Sequence, residues 1–418
     1  MKRLSLTSQI MLGMVGGILI GLLFGPQIAG IKILGDIFLR LIQMTVVLLI
    51  FGAVIEAIAG LESQALGKLG LKTALWFLIT TVIAAVIGLV MGQVFRPGAG
   101  ITLATVQHQA ATVKTPPDLT TTILNFFPQN IFAALSAGNV IQVIVFAILF
   151  GIVLNRANQD HEFDNVLLLI RQINQLATKL VMFIMRLAPV GIGALMVGVV
   201  ANSGAAALLP LLKFLIVYGF STVLFLAVLF LLISWYAKVP LGGLLHGFSR
   251  IMLVALTTTS SAVSLPIEMQ DAHERLGVSH RINQLVLPLG MALNSNGLAM
   301  YLALVCAMVT QLYNIQLSLG LMVQIVSLAV LACLGTVVVP GGGLVALAII
   351  IPTLGLPTES IALLAGIDWF SGMFRTVANV VGDTTTAIAI ASDEDELNRQ
   401  PYLLASPRRW RKHSASSK

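Results

Sequence analysis

Asp368, Gly372, Arg375, Asn379 and Asp383 follow one another at spacings of four, three, four and four residues in the last apolar run of the chain. On a helix turning about 100° per residue they share a stripe about 80° wide, which holds every ionisable group in the membrane part of that run. A charge in hydrocarbon costs at least about 2.5–3.5 kcal/mol, so three on one stripe must face a wet cavity or each other. A planar guanidinium suits bidentate capture of a carboxylate. Asp383, the amide oxygen of Asn379 and unwound carbonyls near Asn294 are hard oxygen ligands of the kind a small cation takes. N–H groups left free at a broken-helix N-terminus, near Ser260 and Ser261, favour a second anionic group. The stripe therefore reads as a site for a small organic anion beside a cation, and Gly372 leaves room on it. The plainer alternative is an ion pair of Arg375 with Asp368 that only locks packing.

The elements that must position this stripe are membrane helices. Of 418 residues, 57% are hydrophobic and only 10% are charged, and the mean hydropathy is +0.97. A soluble domain has about 25% charged residues, so cytosolic cofactor enzymes, disordered regulators and secreted disulfide scaffolds are excluded. Cys306 and Cys333 lie inside apolar runs, where a thiol packs as a small hydrophobe. Much of the net charge of +7 sits in the tail, where Arg408, Arg409, Arg411 and Lys412 flank Trp410. That is the pattern of a cytoplasmic flank with an interfacial aromatic rather than of a nucleic-acid surface.

Apolar runs fall at 8–29, 33–60, 73–95, 129–155, 165–200, 211–237, 251–267, 282–311, 319–357 and 360–392. Lys2, Arg3, Lys68, Lys72, Arg156, Arg171, Lys238, Arg250, Arg275, Arg281 and the basic tail sort to one side, which the positive-inside bias makes cytoplasmic. Both termini are then cytoplasmic, as in a multi-pass protein of the cell inner membrane. The run 251–267 has basic flanks at both ends and so should enter and leave on one side. Its middle, Thr257-Thr258-Thr259-Ser260-Ser261, is followed by Pro266, and both features break helices. Residues 242–276 are therefore expected to form a re-entrant hairpin, because irregular backbone at membrane depth survives only inside protein or beside water. The run 319–357 breaks at Gly335-Thr336-Val337-Val338-Val339-Pro340-Gly341-Gly342-Gly343 and is expected to form a second hairpin from the other face. Ser261 precedes Asn294 by 33 residues and Gly342 precedes Arg375 by 33, an inverted repeat of the sort that marks midplane sites in secondary transporters.

At these residues the chain resembles the dicarboxylate/amino acid:cation symporter family, which includes glutamate and aspartate transporters. The resemblance covers roughly residues 5–397. It rests on Arg96-Pro97-Gly98-Ala99-Gly100, Ala188-Pro189-Val190-Gly191-Ile192, the serine-rich tip ending Leu265-Pro266, the Pro-Gly-x-Gly tip, and Arg375-Thr376-x-x-Asn379-x-x-Gly382-Asp383. It implies an all-α polytopic membrane protein of eight transmembrane helices plus two opposed re-entrant hairpins. A homotrimer would form through a scaffold of residues 1–70 and 126–205. A transport domain of 71–100 and 206–397 would move as an elevator, and 398–418 would be a basic cytoplasmic tail. It also implies a substrate site lined by Ser260, Ser261, Val339, Gly343, Gly372, Arg375, Thr376 and Asn379. A sodium site would be formed by Gly290, Asn294, Asn379 and Asp383, with Thr80, Thr81 and Thr336 belonging to others. The expected activity is symport of a small anionic solute, a C4-dicarboxylate or an acidic amino acid, with Na+ and without an organic cofactor.

Several positions depart from the family pattern. Asn294-Ser295-Asn296-Gly297-Leu298 stands where members carry Asn-Met-Asp-Gly-Thr, so Asn296 removes a carboxylate, and Ala292 stands where a threonine ligand is usual. Proton coupling in place of sodium is therefore open. Leu298 replaces a threonine that helps hold a side-chain carboxylate, and Gly372 stands where amino-acid carriers place an aspartate against the substrate's amino group. Gly372 favours a cargo without an ammonium, because a buried ammonium with no anionic partner is poorly compensated. A neutral amino acid or cystine carrier of the same family is the alternative. An anion channel and an intramembrane aspartyl protease are more remote, since Asp368 and Asp383 would lie about 22 Å apart on one helix. A serine protease would need a nearby histidine, and all six lie in loops or tails.

Overall fold

The computed structural model describes residues 6–59, 68–99, 124, 127–203, 208–335 and 342–404. Thr336 and Val339 lie outside them. Among the described residues the long elements are all helices: α1 (Leu6–Phe24), α2 (Lys32–Ala59), α3 (Lys68–Phe95), α4 (Ile131–Ala137), α5 (Val140–Ala157), α6 (Asp164–Ile184), α7 (Ala188–Ser203), α8 (Leu208–Tyr236), α9 (Leu241–Thr258), α10 (Ser261–Glu274), α11 (His280–Leu293), α12 (Asn296–Leu312), α13 (Leu319–Gly335), α14 (Gly342–Thr353), α15 (Glu359–Ala365), α16 (Asp368–Asp393) and α17 (Gln400–Leu404). Among the described residues seven helices are long and apolar enough to cross a bilayer, or up to eight if α15 and α16 are one bent span. The chain is an all-α polytopic membrane protein.

Breaks fall where the backbone loses helical hydrogen bonding. Thr259 ends α9 in the left-handed region at φ 51°, and Ser260 then opens α10 with its hydroxyl accepting from the Val263 N–H. This break falls in the hydroxyl run 257–261. Asn294, at φ −105° and ψ 121°, leaves the helical region and separates α11 from α12. A short 3-10 turn, Met185–Leu187, divides the run 165–200 just ahead of Pro189, which sits at the start of α7 where its missing N–H costs no helical bond. The run 360–392 is not the single helix its apolarity suggests. It bends by 77° between α15 and α16, which moves Asp368 into the first turn of α16.

The helices pack in two groups. In the first, α1 lies on α7, and α2 packs against α5, α6 and α7. Backbones touch there: a Cβ on Gly13 would lie 2.1 Å from the Pro189 carbonyl oxygen, and one on Gly17 would lie 2.2 Å from that of Gly193. Small residues allow this approach where lipid supplies no hydrophobic drive between helices. Glu56 accepts a hydrogen bond from Asn174 at 2.6 Å in the α2–α6 contact, which gives it a packing role. In the second group α12, buried along nearly its whole length, packs on α3 and α16, while α8, α9, α10 and α11 also cover α16. Helices α13 and α14 touch both groups, and α15 packs on α7 and α14.

Beyond α16 the chain folds back onto the α10–α11 turn. The Asn398 N–H donates to the Gly277 carbonyl at 2.8 Å and the Tyr402 hydroxyl to that of Leu276 at 2.6 Å. Lys72 donates to Glu394 at 2.7 Å, and this bond holds the Glu394 carboxyl below its ordinary range.

Candidate functional site

The stripe on α16 meets the chain at the Asn294 break and the start of α14. Asp368, in the first turn of α16, accepts from Arg375 Nη1 at 3.1 Å, so the ion pair that the sequence offered as the plainer alternative exists. It does not consume the guanidinium, which carries five N–H donors. Among the described residues a Cβ on Gly372 would meet only Arg375 Nη2, at 3.4 Å, so the described chain leaves space beside that second nitrogen. Asp368 thus works as an orienting group: it holds one edge of the fork and leaves the other facing room. The Arg375 Cζ also lies 5.4 Å from the ring centroid of Tyr301, whose face attracts a cation. Tyr301 is braced in turn by Phe214 and Tyr218, each with its ring centroid 5.7 Å away.

The start of α14 lies directly on this pair. A Cβ at Gly343 would be 2.0 Å from Asp368 Oδ1 and 2.2 Å from Arg375 Nη1, so only glycine lets the second broken segment approach the ion pair so closely. The atoms it would strike are side-chain ends and can yield. Gly343→Ala should therefore displace the guanidinium without unfolding the protein. Because a misplacement of about 1 Å can cost about 100-fold, uptake at low substrate should fall roughly tenfold with an unchanged melting temperature. Uptake at the wild-type rate would separate Gly343 from the site.

One to two turns further along α16 lies a second set of polar groups. Gly297 N–H donates to Asn379 Oδ1 at 2.7 Å, and the Tyr218 hydroxyl donates to the Gly297 carbonyl at 2.8 Å. Asn294 Nδ2 donates to Asp383 Oδ1 at 2.7 Å. Thr81 bridges the broken strand of chain between α11 and α12, its hydroxyl lying 3.1 Å from Asn294 Oδ1 and 2.9 Å from Asn296 Oδ1. Gly290 is packed against Asp383, since a Cβ there would fall 2.6 Å from the carboxylate carbon. Asp383 is fully buried, and its Oδ2 has no hydrogen-bond partner. A buried carboxylate oxygen with no donor, at the unwound turn around Asn294, is a hard oxygen ligand of the kind a small cation takes, although Asn294 turns its amide nitrogen and not its oxygen toward the carboxylate. The residues fit such an ion.

The structure thus joins Gly343, Gly372 and Arg375 in one group and Gly290, Asn294, Asp383 and Thr81 in another, with Asn379 on the α16 face between them. Thr376 turns its hydroxyl back to the Gly372 carbonyl at 2.9 Å. Thr80 is buried but bonds to Trp76 and Phe77 carbonyls of its own helix, so it is not joined to either group by a hydrogen bond. Ser260 and Ser261 open α10, which packs against α16. Two residues beside these groups escaped the sequence reading. Tyr301 stands in an apolar run and carries no charge of its own to mark it. Glu268 lies two residues past Pro266 in an expected hairpin arm, and a carboxylate at membrane depth was the signal that could have found it.

Residues 6–393 match the sodium:dicarboxylate symporter family. Similar proteins include a proton/sodium-glutamate symport protein of Bacillus caldotenax, 32% identical over 96% of this chain and 97% of its own length. A C4-dicarboxylate transport protein of Anaeromyxobacter sp. (strain K) is 32% identical over 96% of this chain and 92% of its own. A proton/glutamate-aspartate symporter of Escherichia coli (strain K12) is 31% identical over 96% of this chain and 95% of its own.

Proposed function

The chain belongs to the sodium:dicarboxylate symporter family, and on that premise we propose that it carries a small dicarboxylate, or an acidic amino acid, inward with a cation through the α16 site. It is a symporter and not an enzyme. The observation that carries this reading is the Arg375 guanidinium, one edge tied to Asp368 and the other beside the open space at Gly372. A substrate carboxylate fits that edge bidentately. Gly372 offers no anionic group for an ammonium, which favours a C4-dicarboxylate over an amino acid. The relatives' names include both sodium and proton coupling, and the buried Asp383 oxygen without a hydrogen-bond partner favours a bound sodium ion.

In this reading α9–α10 and α13–α14 are the two re-entrant hairpins. Support comes from the arms: α10 has 14 residues and α14 has 12, against the roughly 20 that a span needs. The two packed groups support the division into a scaffold, 1–70 and 126–205, and a transport domain, 71–100 and 206–397, that moves as an elevator within a homotrimer. Both termini face the cytoplasm, with the protein in the cell inner membrane.

The test is uptake into proteoliposomes under an imposed inward sodium gradient, with a proton gradient run in parallel. Labelled succinate or malate should accumulate against its own gradient, and aspartate less. Equilibration that ignores every cation gradient would instead indicate a channel.

A further inference from the structure

We propose that Glu268 is a second carboxylate ligand of the coupling cation, shared with Asp383 across the contact between α10 and α16. This deepens the reading above and rests on its cation site. Glu268 is 1% exposed and Asp383 0%, so both are out of water. Thr384, the residue after Asp383, donates to Glu268 Oε1 at 2.9 Å and brings the glutamate to the same turn of α16. The two carboxylates act on each other electrostatically. Each has one satisfied oxygen, Asp383 Oδ1 through Asn294 and Glu268 Oε1 through Thr384, and each has a buried second oxygen without a partner.

Those donors are neutral, so they satisfy geometry and leave the charge. Among the described residues neither carboxylate is in an ion pair, since the salt bridges all involve other acids. Arg375 is eight residues from Asp383, about 12 Å along the helix axis, and is already engaged with Asp368. Two uncompensated like charges in a dry interior are strongly unfavourable unless a counter-charge joins them. A monovalent metal cation touching both orphan oxygens removes that cost and uses the atoms left without partners. Glu268 stands on the first broken segment and Asp383 on α16, so the ion would also hold the two elements together.

The experiment is thermal melting of the purified full-length protein in detergent, with sodium chloride exchanged for choline chloride at constant ionic strength and pH. Wild-type protein should melt at higher temperature as sodium rises. Glu268→Gln should melt no lower than wild type without sodium, because a repulsion is gone, yet need at least roughly tenfold more sodium for half the rise. A merely structural glutamate would change the baseline and leave the sodium midpoint alone. An unchanged midpoint in Glu268→Gln overturns the proposal while the Asp383 site stands. A wild type indifferent to sodium fails the coupling reading itself. Glu268→Asp keeps the charge one methylene short and covers the case in which the glutamine variant does not fold. Its midpoint should rise several-fold, and an unshifted one overturns the proposal too.

Discussion

Arg375→Ala should lower gradient-driven uptake of an acidic solute by about 100-fold or more while the protein remains folded. Truncating one member of a buried, hydrogen-bonded charge pair costs about 2–5 kcal/mol, and about 2.7 kcal/mol is a factor of 100. Here the loss falls on the substrate's carboxylate, which would find no positive partner beside Gly372. The same change strands Asp368, whose partner at 3.1 Å is removed. Arg375→Ala combined with Asp368→Asn separates the two effects, since it relieves the stranded acid without restoring a cation. Melting temperature should recover in the double variant and uptake should not. Arg375→Lys keeps the charge but has no planar fork to hold Asp368 and a cargo at once, so it should restore only a small part of the rate. Near wild-type uptake in the alanine variant would remove the guanidinium from the site.

Asp383→Asn is expected to have the other large effect, this time on the cation. The carboxylate is completely buried, packed on Gly290 and held by Asn294, so its charge is focused on whatever meets its free oxygen. Neutralising it keeps shape and volume but removes the unit charge. The sodium concentration giving half-maximal uptake should rise at least about tenfold, a loss of about 1.4 kcal/mol or more. The apo protein should be no less stable, because an isolated buried charge is itself destabilising. The measurement is uptake of labelled dicarboxylate against sodium concentration, with substrate saturating. An unchanged sodium curve would place the coupling ion elsewhere.

The two variants act on one helix that the sequence made legible. Periodicity placed Asp368, Gly372, Arg375, Asn379 and Asp383 on a single face, and hydrocarbon's intolerance of charge made that face the candidate site. The hydroxyl run at 257–261 and Asn294 marked breaks that the structure contains. The 77° bend ahead of Asp368 was not legible in the run 360–392, because apolarity reports depth in lipid and not the path of the backbone. The pairing of Arg375 with Asp368 was foreseen only as a competitor to function. The structure contains the pair and leaves donors over, since a guanidinium has more donors than one carboxylate can use.

Composition and period settled from the chain alone that this is an apolar helical protein of the membrane with a charged stripe on its last helix. A repeating pattern identifies which side of a helix is polar, and this information is local. The folded arrangement decided which groups from distant parts of the chain that side would meet: Gly343 on the ion pair, Thr81 on Asn294 and Asn296, and Glu268 on Thr384, 116 residues away. Such contacts depend on how helices cross, and crossing is set by the packing of many side chains at once, which no single segment encodes.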